Sequence, residues 1–417
     1  MQEDTMLGGY RVLDLTEGGC AFGGQAFGDL GADVIKIEPP GGSPSRDLGP
    51  FYKDIPDRNK SLFWFAYNRN KRGITLDIEN ADGRDLFKRL VGTADLVLES
   101  YTPGYLNGLG LGYSQLCEVK SDIILTSITP YGLEGPKSGH KSSDLTTWAA
   151  SVVHYICGDP DRPPTWLSWP CAGIHGGVEA ASASLFALWH REITGEGQHV
   201  DVPIQPYLMQ HSTGSYWWWE CMQFNLPRMG RYTRYFSVRY PYIYDCKDGY
   251  VHCQLGGGAA AGVANSTRRF VDWMDEEGMA PEWLKQIDWF FGFDASKMTA
   301  DEMDDILQPF HTFLLTKTKS EVSEEAVRRS IIACPVSDSK DICSDRHLRA
   351  RGFWQDVQHQ ELDDTLTYCG GFVRLSEAPI GVRRRAPLVG EHNLEIYEGE
   401  LGLKRHELAV LRQANVI

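Results

Sequence analysis

Five short apolar runs, separated by stretches long enough to hold a helix, fix the class of fold open to this chain. They are YRVLDL (10–15), GADVIKIE (31–38), GITLDI (73–78), ADLVLES (94–100) and DIILTSI (122–128). Each has the length of a strand and too little alternation to leave one face in water, which is the pattern of strands buried on both sides. Parallel neighbours need a crossover of a dozen or more residues, and the spacing supplies it. The expectation is an α/β protein with a doubly wound parallel sheet, whose ligands sit beyond the carboxyl ends of the strands. Two segments fall at such ends. One is the Pro-, Gly- and charge-rich stretch 39–60, read as a long surface loop; the other is YTPGYLNGLGLG (101–112).

The turn after the first strand is rich in glycine (Gly18, Gly19, Gly23, Gly24, Gly28) without the spacing of a dinucleotide fingerprint. Glu17 stands where it would repel a phosphate. This argues against a nicotinamide or flavin site. Arg69, Lys71 and Arg72 admit two readings: a solvated turn, or a phosphate-recognition edge at a strand mouth.

A second organising stretch runs from Pro163 to Val202. A strand-like, Trp-containing entry leads to Cys171-Ala172-Gly173, and positions 178, 181, 185 and 188 then repeat at helical spacing until Gly195. Small residues from Ala180 to Ser184 let such a helix approach a neighbour closely.

Composition removes several function classes. A net charge of −15 argues against a nucleic-acid partner, which needs clustered Lys and Arg. No apolar run approaches the length that spans a membrane, and the N-terminus lacks the basic and apolar regions of a signal peptide. Ten cysteines without CxxC spacing fit reduced thiols in a cytoplasmic protein better than a disulfide framework or a zinc site.

Several longer motifs resemble the family III CoA-transferases. These are LDL, GADVIKIEPPGG, NRNKR with a following LD, ES with PG and LGLGY, and SITPYG with GP. They continue through TGEGQHVDV, ACPV, SDRHLRARGFW and RAPLVGEH, and so cover nearly the whole chain. The resemblance implies a large domain built from both chain ends (1–202, with 323–417 as linker and return), a linker at 203–225 and a small domain at 226–322. It also implies an interlocked dimer. Residues 203–245 are crowded with aromatics, from Tyr216–Trp219 through Tyr235 and Phe236 to Tyr240, Tyr242 and Tyr244. CKDGYVHCQ (246–254) looks like a hairpin, and Gly256-Gly257-Gly258 follows as an active-site loop or an ordinary flexible turn.

The implied chemistry moves coenzyme A from an acyl-CoA to a carboxylic acid, with both as substrates and no prosthetic group or metal. An aspartate carboxylate attacks the thioester, giving a mixed anhydride and CoA thiolate; the thiolate then forms an aspartyl thioester that the acceptor acid resolves. By the family's motif that aspartate lies eighteen residues before the arginine of R-x-x-TGxGQ, and counting back from Arg191 reaches Gly173. No Asp or Glu occurs between Asp161 and Glu179, so a slip of register does not restore it. Cys171, Glu179 and Asp144 are the nearby substitutes, and each has an alternative role. For Asp144 that role is capping a helix that begins near Leu145. A racemase reading of the family fails as well, because Ser143 stands at its histidine position and His140 reads as a loop residue.

The resemblance assigns coenzyme A contacts to Lys71, Arg72, Leu76, Tyr101 and Lys141. The chain departs from the family at Gly108, where Arg or Lys is usual, and at Ser100, where Asn is usual. A chain with the family's folding motifs and no nucleophile points to a homologous catalytic partner, as in the heteromeric benzylsuccinate CoA-transferases with succinyl-CoA as donor. Tyr216 to Trp219, with Trp166 and Trp169, then stand as candidates for an aryl pocket or for an interface. The alternatives are an active homodimer with a displaced carboxylate, and a regulatory protein that binds acyl-CoA without turnover.

Overall fold

The computed structural model describes residues 5–235, 238–258 and 260–417. Phe236 lies outside the described residues, as does the side chain of Tyr235. Two compact units emerge, one of residues 1–155, 166–225 and 347–417, the other of 156–165 and 226–346.

The first unit is built on a six-stranded parallel sheet: β1 (Arg11–Leu15), β2 (Asp33–Glu38), β3 (Lys71–Thr75), β4 (Leu96–Glu99), β5 (Ile124–Thr129) and β6 (His199–Pro203). The order is β3-β2-β1-β4-β5-β6, so the winding reverses between β1 and β4. Val12 pairs with Val34 on one side and Leu96 on the other. Both faces are covered, as the continuous apolar runs require. Leu13, Ile35, Val97 and Leu125 pack with Leu86, Phe87 and Leu90 of the Ala81–Val91 helix and with Tyr397 and Val416. Val12, Val34, Leu96 and Ile124 face Phe27, Ala181, Ala187 and Leu188.

The edge at β3 is not left open. The amides of Gly73 and Thr75 donate to His392 Nδ1 (3.0 Å) and Asn393 Oδ1 (2.9 Å), which blunts a strand edge that would otherwise template pairing.

Two expectations change. The strand expected at 73–78 begins two residues earlier, at Lys71, so the basic cluster enters the sheet rather than forming a solvated turn. The stretch 39–60 is in part interior. Ser43, Ser45 and Arg46 are buried, because Arg46 pairs with Glu38 at 2.6 Å and lies 3.8 Å over the Trp64 ring.

The second unit holds an antiparallel sheet of β9 (Ile243–Cys246), β10 (Gly249–Cys253) and β11 (Ala333–Pro335), preceded by the β7–β8 hairpin (Tyr232–Tyr235, Val238–Pro241). β9 and β10 form the hairpin read from CKDGYVHCQ. Its core is aromatic, with Phe270, Trp273, Phe310 and Phe313 in mutual ring contact. A last hairpin in the first unit, β12 (Trp354–His359) with β13 (Asp364–Cys369), belongs to the returning C-terminal segment. Among the described residues, no helix is long and apolar enough to cross a membrane.

Candidate active site

The winding reverses between β1 and β4, and the carboxyl ends of the strands at such a reversal are where doubly wound sheets bind ligands. The chain leaves β1 through Thr16 and Glu17 and leaves β4 through Ser100, and the two exits are tied by Glu17 N–H to Ser100 Oγ at 2.8 Å. The Glu17 carboxylate accepts from the hydroxyls of Ser43 and Ser45, and Ser45 Oγ also accepts from Gly18 N–H at 2.8 Å. The Glu17 side chain is thus fixed beside the exit of β1.

Beyond Gly18 (φ +58°) a short 3-10 turn, Gly18–Ala21, carries the chain against the long helix Ala172–Thr194. The crossing requires glycine. A Cβ on Gly19 would stand 2.6 Å from Ile174 N, one on Gly23 3.0 Å from Gly177 O, and one on Gly177 2.9 Å from Gly23 N. At Gly173 a Cβ would lie 3.3 Å from Cys20 N and 3.5 Å from Cys20 Sγ, a tight fit that small movements can relieve.

The amino end of the long helix carries unsatisfied amides and a partial positive charge. Cys171, at the N-cap position, supplies no side-chain bond. The acceptor comes from elsewhere: Asp144 Oδ1 takes the Ala172 amide at 2.6 Å, and Trp166 Nε1 donates to its Oδ2 at 3.4 Å. Asp144 therefore does not cap its own helix. That helix begins at Asp144 itself and is capped by Ser143 in a reciprocal box with Thr146. A carboxylate does reach the residue beside Gly173, carried by a different element.

Around this mouth the sequence reading missed an aromatic cluster. The His175 ring meets Trp148 edge-on at 5.6 Å and His211 at 4.6 Å, with Tyr207 at 6.2 Å. Burial and the neighbouring His211 hold the His175 imidazole below its ordinary pKa. Burial, reinforced by the charge of Asp144, raises the Cys171 thiol, and burial pushes Cys20 to about 12. Neither thiol is poised as a thiolate. Glu179 is half-buried within the long helix, and His140 is exposed on its loop.

Beneath the glycine turn lies a buried charge cluster that sequence reasoning also missed. Lys71 Nζ donates to Asp14 Oδ2 (2.7 Å), Ala21 O (2.7 Å) and Asn68 Oδ1 (2.9 Å). Lys36 lies 3.7 Å from the same aspartate and donates to Thr16 O. Desolvation lowers the Lys71 ammonium to about 8; desolvation works the other way on Asp14, yet Lys36 and Lys71 keep its carboxyl below the usual range. The available signal was a charge inside each apolar run, Asp14 in RVLDL and Lys36 in DVIKIE.

Lys71, Arg72 and Leu76, expected at coenzyme A, thus face the chain itself. Lys71 is fully buried, Leu76 belongs to the core, and Arg72 is held by Asp33 (2.6 Å), Glu395 (2.7 Å) and Glu400 (2.5 Å). Arg72 is also the second residue of β3, at the amino end of the sheet and away from the carboxyl ends of the strands. Tyr101 is half-buried after β4, its ring 4.6 Å from that of Tyr105, and Lys141 is exposed. Burial lifts the Glu99 carboxyl to about 7, although Ser127 and the Tyr101 amide (2.6 Å) stabilise its charged form. Gly256, Gly257 and Gly258 belong to the second unit, packed on Trp289 and Phe293.

A family model described as CoA-transferase family III matches residues 7–393. The chain belongs to that family. Its reaction takes coenzyme A thioesters as substrates and uses no prosthetic group. The chain is 33% identical over 393 residues to the succinyl-CoA:(R)-benzylsuccinate CoA-transferase subunit BbsE of Thauera aromatica, spanning 93% of this chain and 92% of that one. It is 28% identical to the succinyl-CoA–L-malate CoA-transferase beta subunit of Chloroflexus aurantiacus, over 99% of this chain and 98% of the relative. Among solved structures, a CaiB/BaiF family protein of Brucella suis superposes with a TM-score of 0.81 at 26% identity, covering 95% of this chain and all of that one. The doubly wound CoA-transferase fold stands on both sequence and structure.

Proposed function

We propose that this chain is the non-catalytic subunit of a cytoplasmic, heteromeric CoA-transferase that moves coenzyme A from succinyl-CoA to an aryl-substituted succinate such as benzylsuccinate. The observation that carries the reading is Gly173. The position that the family motif gives to the nucleophile has no side chain, and no residue from Cys171 to Val178 brings a carboxylate. The aspartate then comes from a homologous partner, interlocked with this chain. The names of two relatives, one a subunit BbsE and one a beta subunit, support a multi-subunit assembly. So does the outer face of the long helix, where Phe186, Trp189 and Ile193 expose 75%, 70% and 67% of their surface, and a large exposed apolar stripe marks an interaction site.

In this reading Tyr101 and Lys141 are the coenzyme A contacts with accessible side chains. Lys71 acts from below, by holding the Ala21 carbonyl of the glycine turn. Gly256 to Gly258 form the loop that closes on the substrate.

The test is CoA exchange from succinyl-CoA to benzylsuccinate, measured with the purified chain alone and after co-expression with a homologue that carries the aspartate. Exchange only in the co-expressed sample is expected; turnover by the chain alone overturns the reading.

A second reading rests on Asp144, whose carboxylate sits one residue from the empty position. There it would attack the thioester in place of the missing side chain, within a homodimer. Exchange by the isolated chain that disappears in Asp144→Asn would establish it.

A further inference from the structure

A buried carboxyl is joined to the surface of the first unit through one hydroxyl. Glu99, the last residue of β4, pairs in register with Ser127 of β5, and both residues are buried. Ser127 supplies a side-chain hydrogen bond to the charged form of Glu99. On its other side Ser127 Oγ lies 2.9 Å from Nε2 of His199, the first residue of β6. His199 is exposed, and its ring stacks on that of Tyr113 at 5.6 Å.

The middle link decides the behaviour. A hydroxyl owns one proton, so Ser127 donates to Glu99 or to His199 and not to both. While Glu99 is ionised, Ser127 donates to the carboxylate and its Oγ accepts from an Nε2–H of His199. Once Glu99 is protonated, its own O–H has Ser127 Oγ as acceptor. Ser127 then donates to Nε2, and the ring proton sits on Nδ1.

The surroundings let the carboxyl drive the ring. Asp201, opposite Ser127 on β6, places its charge beside both Glu99 and His199, and its Oδ2 accepts from the Leu133 amide at 3.0 Å. Burial lifts Glu99 to about 7 and holds His199 below its ordinary pKa, so the carboxyl changes charge while the imidazole is neutral. The other titratable neighbours are Tyr101, Glu17 and Cys20 towards Glu99, and Tyr113 with Cys117 beside His199. Burial raises both phenols and the Cys20 thiol, so they keep their protons through neutrality.

We propose that Glu99, Ser127 and His199 form a hydrogen-bond switch, in which ionisation of the buried carboxyl flips the His199 tautomer and the proton leaves through the ring. The step balances: the Glu99 proton passes to Ser127 Oγ, the Ser127 proton to His199 Nε2, and the Nδ1 proton to water. Inside the fold the switch is read by the Tyr101 amide, 2.6 Å from Glu99 Oε2 at the start of the 101–112 segment. Its effect on coenzyme A rests on the CoA-transfer reading above; the switch itself does not.

The experiment is NMR of the full chain with isotope-labelled histidine from about pH 6 to about pH 9, where the two ring nitrogens report the tautomer. His199→Gln identifies the signal. In the parent a change from Nδ1–H to Nε2–H is expected with its midpoint at about 7. The change is expected to be lost in Ser127→Ala, which cuts the chain of hydrogen bonds, and in Glu99→Gln, which removes the titrating group. A ring that keeps one tautomer throughout this range in the parent overturns the proposal without reference to any variant. A step that survives in either folded variant overturns it as well. Failure of the co-expression assay with the tautomer step intact would instead refute the transferase role and leave the switch standing.

Discussion

Asp144 and Ala172, 28 residues apart, are joined by a 2.6 Å hydrogen bond from the Ala172 amide to Oδ1. The first residue of one helix thereby caps another, and a carboxylate is held at the positive end of the element that carries Gly173. Removing it leaves an unsatisfied amide opposite the helix dipole. Asp144→Ala is expected to cost about 1–2 kcal/mol, and Asp144→Asn, which keeps an acceptor but loses the charge, roughly 0.5 kcal/mol. Urea denaturation of the two variants checks the ranking; equal costs would show that the charge contributes nothing.

The glycines at the helix crossing are not equivalent, and their substitution separates packing from chemistry. At Gly19 a methyl group meets backbone at 2.6 Å and must displace the turn or the helix, whereas at Gly173 the nearest atom is at 3.3 Å. Gly19→Ala is expected to destabilise by about 1–3 kcal/mol. Gly173→Asp is expected to stay within about 1 kcal/mol of the parent, since the gain of replacing glycine in a helix offsets the tight contact. Thermal melts of the two variants decide this. If Gly173→Asp also confers CoA exchange on the chain alone, the rest of the catalytic apparatus is already in place.

How much of this could be read beforehand differs by element. The parallel sheet was legible because strands buried on both faces leave continuous apolar runs. The boundary of β3 was not, because Lys71 and Arg72 look like turn residues until Asp14 and Asp33 are brought opposite them. The start of the long helix beside Gly173 was legible from the helical spacing that follows it. The role of Asp144 was hidden, since nothing local in KSSDLTTW signals an acceptor 28 residues away, while Ser143 satisfied the local capping pattern. The His175–His211 contact likewise joins two elements that share no periodic signal.

Glu99 gives the chain a pH dependence of defined sign. Its buried carboxyl titrates at about 7, above the ordinary 4.5, so the folded state binds more protons than the unfolded state between these values. The stability it contributes is complete below pH 4.5 and is lost as pH rises through 7. Glu99→Gln, which keeps an acceptor for the Tyr101 amide, is expected to remove this slope. It should stabilise the protein at pH 8 by up to about 3 kcal/mol relative to the parent, with little difference at pH 4.5. Chemical denaturation at the two pH values measures it; parallel pH profiles for parent and variant would refute the assignment.

Lys71 distinguishes a ligand contact from a structural cation. Its ammonium is fully buried, with Asp14, Ala21 O and Asn68 as partners, and Lys36 is a second cation on the same aspartate. Replacing it with methionine nearly keeps the length of the side chain but takes a donor from three acceptors and alters the balance around Asp14. Breaking a buried pair from one side costs about 3–5 kcal/mol, far more than loss of an exposed phosphate contact. Lys71→Met is therefore expected to unfold at markedly lower urea. Lys141→Met, at an exposed position, should leave stability unchanged and weaken coenzyme A binding alone. Unfolding curves and coenzyme A titrations on both variants separate the two roles. A Lys71→Met chain with parental stability and reduced coenzyme A affinity would return Lys71 to the ligand site.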